Sequence, residues 1–89
     1  MEIRFGVLGA GRIGQVHARA ISSVDGATLT AIADPILAAA QAAQAAFGGD
    51  IRTIDDIAAS DDIDAVVICT PTDTHADLIE QFARAGKAV

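Results

Sequence analysis

The chain alternates between short apolar runs and longer stretches in which apolar residues recur every three or four positions. Continuous apolar runs are typical of strands covered on both faces, and the wider spacing is typical of amphipathic helices. The runs predict strands at Ile3–Leu8, Thr28–Ala33 and Ala65–Cys69, with a brief strand at Ile51–Arg52. Strands that alternate with helices predict an α/β fold with right-handed crossovers: a parallel sheet of about four strands in the order 3-2-1-4, with helices on both faces.

The first two predicted helices follow the first two strands. The first spans residues 12–23 and ends before Asp25-Gly26. Its predicted buried stripe is Ile13, Val16, His17, Ala20, Ile21 and Val24. The second helix is predicted to have Asp34 as its N-cap and Pro35 at its first position, and Gly48-Gly49 ends it. Its predicted apolar face is Ile36, Ala39, Ala40, Ala43 and Phe47.

The last two predicted helices lie on either side of strand four in the chain. A short helix at Thr53–Ala59 turns Ile54, Ile57 and Ala58 inward. Thr72 or Asp73 caps the last helix, which Gly86 ends, and Lys87–Val89 begin a further strand. The predicted stripe of this helix is His75, Leu78, Ile79, Phe82 and Ala83, with Glu80 and Arg84 as an exposed i,i+4 pair.

Composition and charge argue against several classes of function. The 89 residues suffice for one small domain, and 52% of them are hydrophobic, which is a globular composition. The net charge of −6 argues against nucleic acid and anionic membranes as partners. Cys69 is the only cysteine and lacks metal-ligand spacing with His17 or His75, so we expect no disulfide and no metal. With no signal peptide or membrane span evident in the sequence, we expect a cytoplasmic protein.

The glycine loop (residues 9–14) has the sequence Gly9-Ala10-Gly11-Arg12-Ile13-Gly14 and separates the first strand from the first helix. In a dinucleotide-binding loop, Gly9 permits the tight turn, Gly11 admits a pyrophosphate and Gly14 lets the helix pack on the strand. Phosphates would bind the free N–H groups at the helix start, with Arg12 and Ile13 leaning over them. The alternative is an ordinary strand–helix turn.

An acidic residue about 20 positions beyond the glycines completes the dinucleotide pattern. Asp34 follows the second strand, 20 residues after Gly14. Its carboxylate can accept hydrogen bonds from a ribose diol and would repel a 2′-phosphate, which favours NAD over NADP. Asp34 is equally consistent with a helix N-cap, and the two roles are compatible.

The threonine loop (residues 70–75) follows strand four and faces the glycine loop in the predicted strand order. Pro71 fixes the turn, and Thr70 and Thr72 supply hydroxyl groups. His75 lies on an apolar stripe, so a half-buried structural histidine fits the pattern as well as a ligand contact does. His17 and Cys69 are interpreted as structural residues.

Three segments together resemble the N-terminal region of the glucose–fructose oxidoreductase / myo-inositol dehydrogenase family, with inositol 2-dehydrogenases the most similar members. They are IRFGVLGAGRIGQVHARAI, AIADP and VVICTPTDTHADLIEQFARAGKAV. The resemblance implies half of a doubly wound Rossmann fold and NAD(P)-dependent oxidation of sugars or polyols, usually by an oligomer. Thr72 departs from the Asn often found at its position in the family. The implied cofactor contacts are Gly9, Gly11, Arg12, Ile13, Gly14, Asp34, Thr70, Pro71 and His75.

The family also has parts that residues 1–89 lack: a Glu-Lys-Pro segment after the fifth strand and a second domain that completes the active site. We therefore expect a partial NAD-binding Rossmann domain, truncated at the start of the fifth strand, without a substrate domain or catalytic residues. Such a fragment is expected to be inactive and to bind NAD weakly or not at all. An unpaired apolar edge on strand four favours a homodimer through that edge and the C-terminal segment. The alternatives are a self-associating folding unit without a ligand and a site for S-adenosylmethionine.

Overall fold

The computed structural model describes residues 2–89, apart from the side chain of Thr72. Its strands are β1 (Ile3–Leu8), β2 (Ala27–Ala33), β3 (Asp50–Ile51) and β4 (Ala65–Ile68). Its helices are α1 (Arg12–Ser23), α2 (Leu37–Phe47), α3 (Ile54–Ala59) and α4 (His75–Arg84), and a 3-10 turn at Thr72–Thr74 precedes α4. The strands pair in parallel in the order β3-β2-β1-β4, which confirms the predicted α/β fold and strand order.

The two faces of the sheet are packed with side chains of different size. On the face covered by α1 and α2, the helices contribute mainly alanines, among them Ala18, Ala40 and Ala43. On the face covered by α3 and α4, Ile57 and Phe82 are fully buried. Small side chains allow a helix to approach the sheet closely, so α1 and α2 are held near the strand backbone.

The buried face of α1 differs from the predicted stripe. Ile21 is buried as predicted, but its buried companions are Gly14 and Ala18. Ile13 is 59% exposed and Val16 is 58% exposed. The other predicted stripe members, His17, Ala20 and Val24, are also exposed. The prediction was wrong at these five positions because, besides Ile21, the helix packs on the sheet through its small residues Gly14 and Ala18, which carry little hydrophobic signal.

The start of α2 also differs from the prediction. The helix begins at Leu37, and Ile36 is its N-cap, whereas the sequence predicted Asp34 and Pro35 for the cap and first position. The side chain of Ile36 is 65% exposed instead of facing the core. Asp34 closes a turn ahead of the helix by accepting a hydrogen bond from the backbone N–H of Ile36.

The caps of α3 and α4 lie near the predicted positions. Thr53 is the N-cap of α3, and its side chain accepts a hydrogen bond from Asp56 N–H. Thr74 is the N-cap of α4, so the prediction of Asp73 is wrong, and the side chain of Thr72 lies outside the described atoms. In the predicted α4 stripe, Phe82 is buried, His75 and Leu78 are half-buried, and Ile79 and Ala83 are exposed. The predicted Glu80–Arg84 ion pair is present.

The last residues lie along the outer edge of β4. Ala88 forms a parallel bridge with Ala65, and its carbonyl oxygen accepts a hydrogen bond from Val66 N–H at 2.9 Å. Lys87 Nζ donates to the carbonyl oxygens of Ser60 and Ile63, at 2.6 and 3.0 Å. The C-terminal segment is therefore held beside β4 by an isolated backbone bridge and by the Lys87 side chain. Among residues 2–89, no helix has the length and apolar character that a membrane crossing requires.

Candidate functional site

The carboxyl ends of β1 and β4 lie side by side, with Leu8 paired to Ile68. The loop from β1 leads to α1 over one face of the sheet, and the loop from β4 leads to α4 over the other. Where two such loops diverge, a crevice opens beyond the strand ends, and doubly wound folds bind their ligands there. The glycine loop forms one side of this crevice and the threonine loop forms the other.

Gly9 turns the chain at the end of β1. Its φ is +98°, a left-handed conformation that L side chains rarely adopt. Its N–H donates to the Ala33 carbonyl at 2.7 Å. A Cβ here would lie 2.7 Å from the Cys69 carbonyl oxygen. Glycine at position 9 is therefore required by the fold itself.

Gly14 lies on the buried face of α1. A Cβ at this position would lie 1.8 Å from the carbonyl oxygen of Gly9. The first turn of the helix thus packs directly against the backbone of the preceding turn. This is the close packing role that the sequence assigned to the third glycine, and it too is a requirement of the fold.

Gly11 differs from the other two glycines of the loop. Its φ is −72°, it is exposed, and a Cβ there would meet no atom of the described residues within 4 Å. It is the N-cap of α1, yet no side chain caps this helix. The first N–H groups of a helix lack intrahelical acceptors and form the positive end of its dipole. A side chain at Gly11 would project into open space beside the start of α1, and helix N-termini of this kind bind anionic groups.

Arg12 and Ile13 occupy the first turn of α1, and both side chains are exposed. This turn contains no acidic residue. Arg12 therefore adds positive charge to a helix end that is already positive, and Ile13 provides apolar surface beside it. The exposure of Ile13 contradicts its predicted place on the buried stripe of α1, and the predicted contact of Arg12 and Ile13 with a bound pyrophosphate stays a prediction.

Asp34 is half-buried at the end of β2. Its Oδ2 accepts a hydrogen bond from Ala10 N–H at 2.7 Å, and its Oδ1 accepts one from Ile36 N–H at 2.8 Å. The carboxylate thus joins the glycine loop to the turn before α2. Sequence reasoning placed Asp34 beside the loop but missed Ala10 as its partner, because a residue pattern does not encode the direction of a backbone N–H. It also missed Gln15, whose Nε2 donates to the Ala10 carbonyl at 3.2 Å.

The threonine loop is held by bonds within itself. The hydroxyls of Thr70 and Thr74 are 2.7 Å apart, and the Thr74 hydroxyl donates to the Pro71 carbonyl at 2.6 Å. His75 Nε2 is 2.7 Å from the Thr70 carbonyl oxygen. Because a carbonyl only accepts hydrogen bonds, Nε2 carries the proton, and in the neutral ring Nδ1 is then the acceptor. His75 is half-buried beside the crevice and Pro71 is exposed at its rim.

Cys69 lies between the two loops at the end of β4 and is half-buried. Burial raises the pKa of its thiol above the usual range, so the thiol is neutral near pH 7. This agrees with the interpretation of Cys69 as a structural residue. No three His, Cys, Asp or Glu side chains within residues 2–89 come together as a metal-binding group.

A further cavity, of about 490 Å³, opens beside Asp34 toward β3, and sequence reasoning missed it. Arg52 lines this cavity but is engaged by Asp62 at 2.8 Å and Asp50 at 3.0 Å, which raise its pKa further above the ordinary value. The guanidinium is therefore committed to contacts within the protein. The other lining residues are Ala33, Pro35, Ile51, Thr53, Ile54, Asp55 and Asp56.

Known proteins are similar to this chain in both sequence and fold. A family model described as an oxidoreductase family with an NAD-binding Rossmann fold matches residues 3–89. Over 89 residues, the chain is 66% identical to inositol 2-dehydrogenase from Rhizobium meliloti, and the match covers 100% of this chain and 27% of that protein.

Two solved structures extend this similarity. One is scyllo-inositol dehydrogenase from Lactobacillus casei with bound NAD(H) and scyllo-inositol: 33% identity, a TM-score of 0.90, and coverage of 98% of this chain and 26% of that one. The other is a myo-inositol dehydrogenase from Corynebacterium glutamicum: 41% identity, a TM-score of 0.90, and coverage of 98% and 26%. The chain thus spans about a quarter of the length of these relatives.

Proposed function

Since the chain belongs to the oxidoreductase family with an NAD-binding Rossmann fold, we propose that its glycine loop and Asp34 bind NAD in the crevice between β1 and β4. The observation that carries this proposal is the contrast within the loop. An added Cβ would lie 2.7 Å from the Cys69 carbonyl oxygen at Gly9 and 1.8 Å from the Gly9 carbonyl oxygen at Gly14, whereas at Gly11 it would meet no atom of the described residues within 4 Å. A glycine beside open space at an uncapped helix start is accounted for by a phosphate group that approaches the backbone.

The residues around the crevice suit the parts of a dinucleotide. The N–H groups of Arg12 and Ile13, in the first turn of α1, would donate to the pyrophosphate. Asp34 would accept hydrogen bonds from the ribose hydroxyls, and its negative charge would disfavour a 2′-phosphate, so NAD is preferred over NADP. Thr70, Pro71 and His75 would line the opposite side of the bound cofactor.

A calorimetric titration of the purified chain with NAD, NADP and S-adenosylmethionine tests this function. We expect NAD to bind more tightly than the other two and Asp34→Ala to weaken NAD binding at least tenfold, about 1.4 kcal/mol. Asp25→Ala is the matched control, because Asp25 is an exposed aspartate in the turn before β2. Equal NAD affinity of the chain and Asp34→Ala would contradict the proposal. No binding of any of the three would favour a folding unit without a ligand.

We also propose that the site serves an oxidoreductase acting on a polyol or sugar such as myo-inositol, and that these 89 residues alone do not catalyse the reaction. Oxidation of an alcohol needs a base that takes its hydroxyl proton and a pocket that holds the substrate. Among the described side chains at the crevice, that of His75 has the chemistry most suited to such a base. Its Nε2, however, already donates a hydrogen bond to the carbonyl oxygen of Thr70. Reduction of NAD by the purified chain in the presence of myo-inositol would overturn the second part of this proposal.

A second candidate property, self-association, is favoured by the apolar surface beside β4. Ile3 and Val89 are 41% and 57% exposed, and both line a cavity of about 510 Å³ with Phe5 and Val67. The C-terminal segment pairs with β4 only through the Ala65–Ala88 bridge among the residues described. We propose a homodimer through the β4 edge and this segment, because an open apolar edge invites pairing with a second copy.

Sedimentation equilibrium across a wide concentration range tests the homodimer. We expect the dimer fraction to rise with protein concentration and Val89→Lys to reduce it, because a charge would be placed in the proposed contact. Ala45→Lys, on the exposed side of α2, is the control. A strict monomer at high concentration would rule the homodimer out.

A further inference from the structure

Asp34 makes two contacts that the proposed ribose contact does not require. Its carboxylate accepts from the backbone N–H groups of Ala10 and Ile36, at 2.7 and 2.8 Å. These two N–H groups come from different segments, one from the glycine loop and one from the turn before α2. A carboxylate accepts hydrogen bonds only, so two converging N–H donors match it and would not match an amide side chain in full.

The peptide groups around Ala10 depend on side chains for their hydrogen bonds. Ala10 is fully buried and lies between β1 and α1. Its peptide groups therefore receive no hydrogen-bond partner from the regular hydrogen bonds of the strand or of the helix. Asp34 accepts from its N–H, and Gln15 Nε2 donates to its carbonyl oxygen at 3.2 Å. One residue earlier, Gly9 N–H donates to Ala33. The end of β2 therefore fixes two successive N–H groups of the glycine loop.

We infer that Asp34 is a positioning residue: its carboxylate holds the glycine loop in the shape that presents the first N–H groups of α1 to a phosphate. This inference rests on the proposed function, because it assigns the loop to phosphate binding. This role of the Asp34 carboxylate is separate from the ribose contact, because the carboxylate holds the loop before any ribose is bound. Each carboxylate oxygen can accept a second hydrogen bond, so ribose hydroxyls and the two N–H groups are accommodated together.

Inorganic pyrophosphate separates this role from the others, because it has no ribose diol. Asp34→Asn removes a negative charge close to the phosphate site, so a role through charge alone predicts tighter pyrophosphate binding. The positioning role predicts the opposite, since the Asn NH₂ group cannot accept from one of the two N–H donors and the loop loses its fixed shape. We expect pyrophosphate binding by Asp34→Asn, followed by NMR titration, to be at least threefold weaker, with Asp25→Asn unchanged or slightly tighter.

Amide hydrogen exchange of the ligand-free chain provides a second measurement. We expect Ala10 N–H to exchange about tenfold to a hundredfold faster in Asp34→Asn, the loss expected for a hydrogen bond to a charged group. The amide of Val7, within β1, should keep its rate. In the unsubstituted chain, a scalar coupling through the hydrogen bond should join the Ala10 nitrogen to the Asp34 carboxylate carbon. This coupling decides the question even where Asp34→Asn does not fold.

Pyrophosphate binding to Asp34→Asn that equals or exceeds that of the unsubstituted chain would overturn the inference, and so would the absence of the coupling. A chain that binds neither NAD nor pyrophosphate would contradict the proposed function instead. The coupling and the exchange rate of Ala10 would still decide whether Asp34 holds the loop.

Discussion

The glycine loop and the threonine loop lie on opposite sides of one crevice, but they are held in place by different kinds of contact. The glycine loop is fixed by residues far away in the chain, chiefly Ala33, Asp34 and Cys69. In the threonine loop, the hydrogen bonds of the described side chains, which exclude that of Thr72, join residues no more than five positions apart. The shape of the first loop therefore depends on the assembled sheet, whereas the second keeps much of its shape through its own sequence.

This difference determines how each loop responds to substitution. At Gly9 an added methyl group collides with the Cys69 backbone just beyond β4. At Gly14 it collides with the carbonyl oxygen of Gly9, a residue that its own N–H bond to Ala33 holds in place. In the threonine loop a substitution removes one or two hydrogen bonds at the surface, and water can replace them. The contrast also fits the proposed function, because a rigid loop suits a pyrophosphate group of fixed shape.

The largest effect is expected for Gly14→Ala. The new Cβ would lie 1.8 Å from the Gly9 carbonyl oxygen, so α1 must move away from the sheet. We expect a loss of about 4 kcal/mol, beyond the usual range for overpacking and close to the whole stability of many small domains. Urea unfolding measures the change, and Ser22→Ala on the exposed side of α1 is the control. Alanine is otherwise the better helix former, so a loss of stability in Gly14→Ala can come only from the collision with the loop. An unchanged free energy of unfolding would show that the glycine loop is no more tightly packed than the threonine loop.

Gly9→Ala is expected to cost somewhat less, about 3 kcal/mol, from the left-handed φ together with the contact at 2.7 Å to the Cys69 carbonyl. Gly86→Ala separates these two contributions. Gly86 follows α4 with a φ of +78°, but a Cβ added there would meet no atom of the described residues within 4 Å, so only the conformational cost of about 1 kcal/mol applies. Equal losses of unfolding free energy in the two variants would show that contacts between the loop and β4 contribute nothing.

The same contrast explains what could be predicted from the sequence. The order of strands and helices follows from apolar runs and helical spacing, and the sites of the glycines and Asp34 follow from the pattern. The buried face of α1 did not follow, because Gly14 and Ala18 contribute little hydrophobic signal while exposed Ile13 and Val16 contribute much. A small helix face becomes identifiable only once the close approach of helix and sheet is known.

The missed contacts of the site have a related cause. Asp34 and Ala10 are 24 residues apart, and their hydrogen bond uses a backbone N–H whose direction is set by the turn at Gly9. Residue types predict the chemistry available at a position, but the direction of a peptide group depends on the folded chain. The cap of α4 at Thr74 was misassigned for the same reason, since several neighbouring Thr and Asp residues are equally good N-caps by type.

Thr74→Val tests whether the threonine loop is held mainly by hydrogen bonds between its own residues. The substitution removes the contacts of the Thr74 hydroxyl with Thr70 and Pro71 while keeping a side chain of similar shape. We expect a loss of about 1 kcal/mol, typical of neutral hydrogen bonds near the surface. Amide exchange should accelerate within residues 70–75 and remain unchanged at Gly9 and Ala10. Faster exchange in the glycine loop would show that the two loops are coupled.

Gly11→Ala is expected to have the smallest effect on stability and a large effect on binding. The φ of −72° suits alanine and the added methyl group meets no atom of the described residues, so the free energy of unfolding should change by less than about 0.5 kcal/mol. The same methyl group occupies the open space beside the start of α1, where we propose that the phosphate binds, so NAD and pyrophosphate binding should fall at least tenfold. Urea unfolding and calorimetric titration of one preparation give both numbers. A variant that retains full affinity would mean that the phosphate lies elsewhere, and Gly11 would then be an ordinary turn residue without the role that distinguishes it from Gly9 and Gly14.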